Sequence, residues 1–202
     1  TEKGVSAWIA QRNGRTKDGN DVTDQGIIKM FCMSCAEDKI KAIDDLHIVP
    51  IAVSYEWEPC DVLKTLELYE SQFSKYTKKP GEDLNSILTG IVQEKGRVHF
   101  ELCEPLSYAE LSKFDGLTNN DYHKQVARLI DRRIRAAYRL YPNNYIAYDL
   151  RYGTTKYKHC YTVAEKEAFL KRLQTLEQYD TCDVDKLKDI FLGIYSNPVN
   201  NK

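Results

Sequence analysis

The sequence holds no run of about 18 apolar residues, so no segment reads as a helix that crosses a bilayer. Its beginning does not read as a signal peptide either. Charge of one sign is lacking: 29 Lys and Arg stand against 30 Asp and Glu, a net −1. Attraction to a polyanion would have to come from a local patch, and no nucleic-acid partner is expected. Histidine is scarce, and His47, His99, His123 and His159 share no metal-ligand spacing. The six cysteines show no framework spacing. Cys32-Met33-Ser34-Cys35 is the one CxxC, without the second pair or nearby His pair that a zinc site needs. The cysteines read as packing residues of a chain in a reducing cytosol, with neither metal nor cofactor expected. No internal repeat or low-complexity stretch is visible.

What is present is an ordinary globular composition, 42% apolar and 29% charged over 202 residues, long enough for a sizeable core. Residues 5–11, 47–55 and 97–102 read as strands, the second continuously apolar and interrupted by Pro50. Between them lie helical patterns, one capped by Asp24 and running to about residue 35, one from Asp61 to about residue 79, and one over 83–94. Strands separated by helices predict an α/β fold with a partial, mostly parallel sheet and helical crossovers. After Pro105 helices dominate, over 122–140, 144–151, 162–179 and 183–192, followed by a loose tail over 197–202. The helix from Thr162 carries a capping box with Glu165. The expected organisation is an α/β part over 1–105 and a helical region over 106–202, packed on it or appended.

Two stretches bear on function. The loop over 11–21 sets Arg12, Arg15 and Lys17 around Gly14 and Gly19, directly after a strand-like run. Glycine lets backbone approach a ligand closely, and a guanidinium fork matches phosphate oxygens. The plainer reading is an exposed loop with solvated charges. Further on, Lys124, Arg128, Arg132, Arg135 and Arg139 recur every three or four residues opposite an apolar face, with Asp131 the one acid nearby. Such a stripe suits anionic headgroups or an acidic carrier protein, and equally the solvated face of a packed helix.

Residues 10–19, with Arg15-Thr16-Lys17, resemble the third conserved block of the glycerol-3-phosphate and lysophosphatidate acyltransferases. Ile48-Val49-Pro50-Ile51 resembles the fourth block. The run from Gly96 through Val98, Phe100 and Leu102 to Pro105 resembles a later strand of the same family, and the order is the family's. The resemblance implies acyl transfer from acyl-CoA or acyl carrier protein, as co-substrate, to a phosphate-bearing glycerol in phospholipid synthesis. It places the acceptor phosphate on Arg12, Gly14, Arg15, Thr16 and Lys17, and the acceptor pocket along Val49, Pro50 and Ile51. It also implies a peripheral position at the cytoplasmic, inner face of the membrane, where the basic stripe would meet lipid or carrier protein. The family's acidic residue in block three is absent, which leaves open a different acceptor such as an amino-lipid. The catalytic His-x-x-x-x-Asp block is absent too. His99, with Glu104 where the Asp would stand, lies in the wrong block and reads as structural. With Thr1 rather than Met at the start, the chain is expected to be a C-terminal part without its catalytic base, and inactive alone. A non-catalytic phosphate- or lipid-binding module is the reading from another class.

Overall fold

Helices carry this chain. The computed structural model describes residues 4–12, 16–35 and 37–202, and it is 56% helical. The helices are α1 (Gln25–Cys32), α2 (Lys39–Asp44), α3 (Asp61–Ser71), α4 (Glu82–Val92), α5 (Tyr108–Leu111), α6 (Asn119–Ala137), α7 (Pro142–Tyr152), α8 (Val163–Gln174) and α9 (Val184–Asn201). Two strands, β1 (Ile51–Tyr55) and β2 (Val98–Leu102), form one small sheet. Cys103 N donates to Pro50 O and Leu106 N to Ile48 O, while Glu56 N donates to Arg97 O and Trp57 N to Lys95 O. Numbers rise on one strand as they fall on the other, so the pair is antiparallel. The expected parallel sheet with helical crossovers is overturned. Residues 5–11 form no strand, and β1 starts only after Pro50, with Ala52 and Ser54 buried and its alternate residues half-buried. Among the described residues no helix is long and apolar enough to cross a membrane.

The chain divides into two compact units, and each draws residues from both sides of residue 105. The first comprises Thr1–Arg15, Asp21–Val53 and Phe100–Tyr138. Its core is organised by α6, whose start is fixed by Thr118 Oγ1 accepting from Asp121 N at 3.2 Å. Tyr122, Val126, Leu129, Ile130 and Ile134 recur at helical spacing and are buried with Ile28, Ile40, Ile43 and Leu111. Asp131 falls on the same inner side and is satisfied there. Thr23 donates to its Oδ1 through both N, at 2.8 Å, and Oγ1, at 2.6 Å.

The second unit comprises Thr16–Asn20, Ser54–His99 and Arg139–Lys202. Ile146 and Ala147 of α7 pack with Phe169 and Leu173 of α8 and with Leu187, Phe191 and Tyr195 of α9. Trp57 stacks on Phe169 with centroids 5.9 Å apart. Asp61, fully buried at the first turn of α3, accepts from Arg172 Nη2 at 2.6 Å, Arg172 Nε at 3.1 Å and Tyr195 Oη at 2.8 Å. The expected capping box of α8 is present: Thr162 Oγ1 accepts from Glu165 N at 3.2 Å. The expected loose tail over 197–202 is instead the end of α9, which continues through Pro198. Asn197 Nδ2 donates to Asp18 O at 2.7 Å and Asn201 Nδ2 to Asn20 Oδ1 at 3.0 Å. Gly19 lies between those anchors at φ +75°, so close to the Ile194 carbonyl that a Cβ would clash.

Candidate functional site

In the first unit, segments that lie far apart in sequence meet. Residues 4–12 form neither helix nor strand, and Gln11 O accepts from Asp24 N at 2.8 Å. Asp24 also caps α1, accepting from Gly26 N at 2.7 Å, so Gln11 is tied to the residue that starts this helix. Trp8 stacks on Phe100 of β2 with centroids 6.3 Å apart. Pro50, whose ring removes a donor but not the carbonyl, accepts from Cys103 N. The three sequence blocks do not share one unit whole: Ala10 to Arg12, Ile48 to Ile51 and Phe100 to Pro105 belong to the first, whereas Thr16 to Gly19 and Gly96 to His99 belong to the second. Val49 is exposed, Pro50 buried and Ile51 half-buried.

Of the residues assigned to an acceptor phosphate, Gly14 and Arg15 lie outside the described residues. Arg12, Thr16 and Lys17 are half-buried. Lys17 is not a free cation, because its ammonium pairs with Glu67 of α3 within the second unit. Its solvent-accessible charge is correspondingly reduced, and its service as a phosphate ligand would require exchange of that partner. Three shielded side-chain donors lack an acceptor among the described residues: Gln11 Nε2, Arg135 Nε and Arg133 Nη1. Arg135 reaches inward, with Nη2 3.3 Å from Asp21 O. Buried donors without acceptors are costly; Gln11 lies in block three and Arg135 reaches Asp21, two residues past it, whereas Arg133 sits on Glu110.

The basic stripe is only partly as expected. Lys124, Arg128 and Arg132 are exposed on α6, and Lys124 lies 3.6 Å from Asp121. Arg135 turns inward, and Arg139 lies beyond the end of α6, its N donating to Ser54 Oγ at 3.0 Å. Asp131, the acid that seemed to offset this face, is buried on Thr23 and offsets nothing outside. Arg133, between the two faces, is held by Glu110 with both carboxylate oxygens at 2.7 Å from Nη2. Ser107 and that guanidinium draw the Glu110 carboxyl below its ordinary range, with burial acting against them.

The remaining titratable groups look structural. Cys32 ends α1, and burial pushes its thiol up, away from nucleophilic character. Burial does the same to Cys103, with Glu101 adding. His123 is buried on α6 and lines a shallow depression of about 450 Å³ with Gln25, Lys29 and Asn120. Burial first, and Lys29 and Lys39 after it, hold its imidazole below the ordinary value. His47 was expected to begin a buried strand, but it is exposed in a left-handed turn at φ 48°. Among the described residues no group of three His, Cys, Asp or Glu side chains is arranged to hold a metal ion. The chain matches no protein-family model, no curated protein and no solved structure.

Proposed function

We propose that this chain is the acceptor-binding part of a glycerolipid acyltransferase. It would work with an acyl-CoA or acyl carrier protein donor on a phosphate-bearing glycerol, peripheral at the inner face of the membrane. The observation that carries the reading is the pairing of the middle sequence block with the last, in which Cys103 N donates to Pro50 O and Leu106 N to Ile48 O. Trp8, two residues before the first block, stacks on Phe100 of the last. The reading rests on these blocks and not on a parallel sheet. The unpartnered donors Gln11 Nε2 and Arg135 Nε support it, since an anion beside block three would give them the acceptors they lack.

The chemistry divides accordingly. In the transfer, the acceptor hydroxyl oxygen bonds to the thioester carbonyl carbon, the carbon–sulfur bond breaks and the thiolate departs. A base takes the hydroxyl proton. The sequence has no His-x-x-x-x-Asp spacing to provide that base. What these residues would contribute is placement of the acceptor, which by itself is a large part of a bimolecular barrier.

Calorimetric titration with glycerol 3-phosphate tests the assignment. The chain should bind it, and Arg12→Ala and Arg15→Ala should each weaken binding about ten- to hundredfold, the worth of a charged hydrogen bond, with the melting temperature unchanged. No binding by the unsubstituted chain, or equal binding by all three, would refute the reading. Lysophosphatidate formed by the chain alone would refute the division of labour.

A further inference from the structure

Within the second unit, α4 is built inside out. Leu84, Ile87, Leu88, Ile91 and Val92 fall at i, i+3, i+4, i+7 and i+8, the spacing of a core-facing stripe. Yet each is between 51% and 78% exposed, and no residue of α4 is buried. The side turned inward is the small, polar one. Cys60 Sγ lies 3.5 Å from Ser86 O, and a Cβ placed on Gly90 would sit 3.7 Å from that sulfur. Ser86, Thr89 and Gly90 are half-buried.

We propose that the α4 stripe docks on an anionic phospholipid surface, the helix lying in the plane of the membrane with its aliphatic side chains among the acyl chains. At 11 residues the helix is too short to span and long enough to lie flat. The stripe is wholly aliphatic. It carries no Trp, Tyr or Arg of the kind that anchors protein interfaces, and no hydrogen-bonding group that a protein partner would need to meet. Cations flank it, with Lys75, Lys78 and Lys79 before and Lys95 and Arg97 after. Residues 72–97 hold those five cations against three acids, in a chain of net −1. The two acids at the helix start are already engaged. Glu82 accepts from Tyr76 Oη at 2.5 Å and from Lys79 N at 3.0 Å, and Asp83 pairs with Lys78 at 2.5 Å. Glu94 follows the helix. Lys95 Nζ closes the helix end on the carbonyls of Ile91 and Gln93, and Arg97 pairs with Glu56. Lys75 and Lys79 are exposed, available at headgroup level.

This rests on the membrane part of the proposed function and not on the acceptor site. The test is sedimentation with vesicles of phosphatidylethanolamine and phosphatidylglycerol, against phosphatidylcholine alone. The chain should pellet with the anionic vesicles. Ile87→Asp with Ile91→Asp, at exposed positions that leave the fold intact, should lower binding at least about tenfold. Lys75→Ala and Lys79→Ala should each lower it about fivefold and flatten its salt dependence. If the double aspartate variant pellets as well as the unsubstituted chain, the inference fails while the membrane reading stands. If the unsubstituted chain stays in the supernatant with both vesicles, both fail. A soluble dimer that the aspartates dissociate would also overturn it, in favour of a second copy.

Discussion

Arg172→Met should unsettle the second unit through Asp61, a carboxylate whose side chain is 1% exposed. The guanidinium supplies two of the donors on it, at 2.6 and 3.1 Å. Removing one partner of a buried pair leaves a charge unpaired, at about 3–5 kcal/mol. The lower end applies because 32% of the Arg172 side chain reaches solvent, which screens the pair, and because Tyr195 Oη and Val62 N still donate to Asp61. A cost of about 3 kcal/mol in a chain of this length lowers the melting temperature by about 6–12 °C. Urea unfolding followed by Trp57 fluorescence, in a Trp8→Phe background, reads this unit alone, since Trp57 stacks on Phe169 within it. Adding Asp61→Asn to Arg172→Met removes the charge together with its partner, so the double variant should be about 2 kcal/mol more stable than Arg172→Met. A single-variant cost below about 1 kcal/mol, or additivity of the two substitutions, would refute the reasoning.

Gly19→Ala should lower the urea midpoint of the second unit by the equivalent of about 2 kcal/mol or more, because the methyl would meet Ile194 O at a backbone angle that disfavours a Cβ. An unchanged midpoint would mean that the α9 contact yields freely. His123, held below its ordinary 6.5, adds stability that is complete above that value. That stability is lost as pH falls from there towards the folded-state pKa, because only the unfolded chain takes up the proton readily. His123→Asn should therefore flatten the acid side of the stability–pH profile of the first unit, and an unaltered slope would assign the acid sensitivity elsewhere.

The legible parts of the fold were those decided by neighbours along the chain. Thr162 and Glu165 announce the start of α8 because the cap is formed by residues three apart. The stripe from Tyr122 to Ile134 announces α6 because one face of a helix needs no distant information. Strand direction is a different kind of fact. Alternation of strand-like and helix-like runs is the same whether β2 returns parallel or antiparallel to β1, and only the pairing of Pro50 with Cys103 decides it. Residues 5–11 have strand composition, but Trp8 is satisfied by stacking on Phe100 rather than by a ladder. Pro198 reads as a helix breaker, yet α9 passes through it with Asn197 and Asn201 tied to Asp18 and Asn20.

The candidate site divides along the same line. The cations around Gly14 were visible as a cluster, whereas the partner of Lys17 is Glu67, 50 residues away, and no local pattern marks it. Asp131 could have been noticed as an acid on the apolar side of a basic helix, which is the usual sign of an internal hydrogen bond. Gln11 and Arg135 fall within the loop and the basic stripe that the sequence marks, but nothing in the sequence marks them as inward donors without acceptors. Their interest lies in what they fail to meet.

The tie between α9 and residues 16–20 bears on the order in which the chain can acquire structure. The bonds Asn197 to Asp18 and Asn201 to Asn20 join residues 179 and 181 positions apart. On a ribosome, residues 16–20 emerge well before their partners in α9 exist. Meanwhile the sequence on either side of them, Thr1–Arg15 and Asp21–Val53, belongs to the other unit. Long-separation contacts of this kind form late and slowly. The five-residue strap is thus a seam that cannot close until α9 has been made. A nascent chain halted before α9 would present residues 16–20 to proteases even where the first unit had already folded.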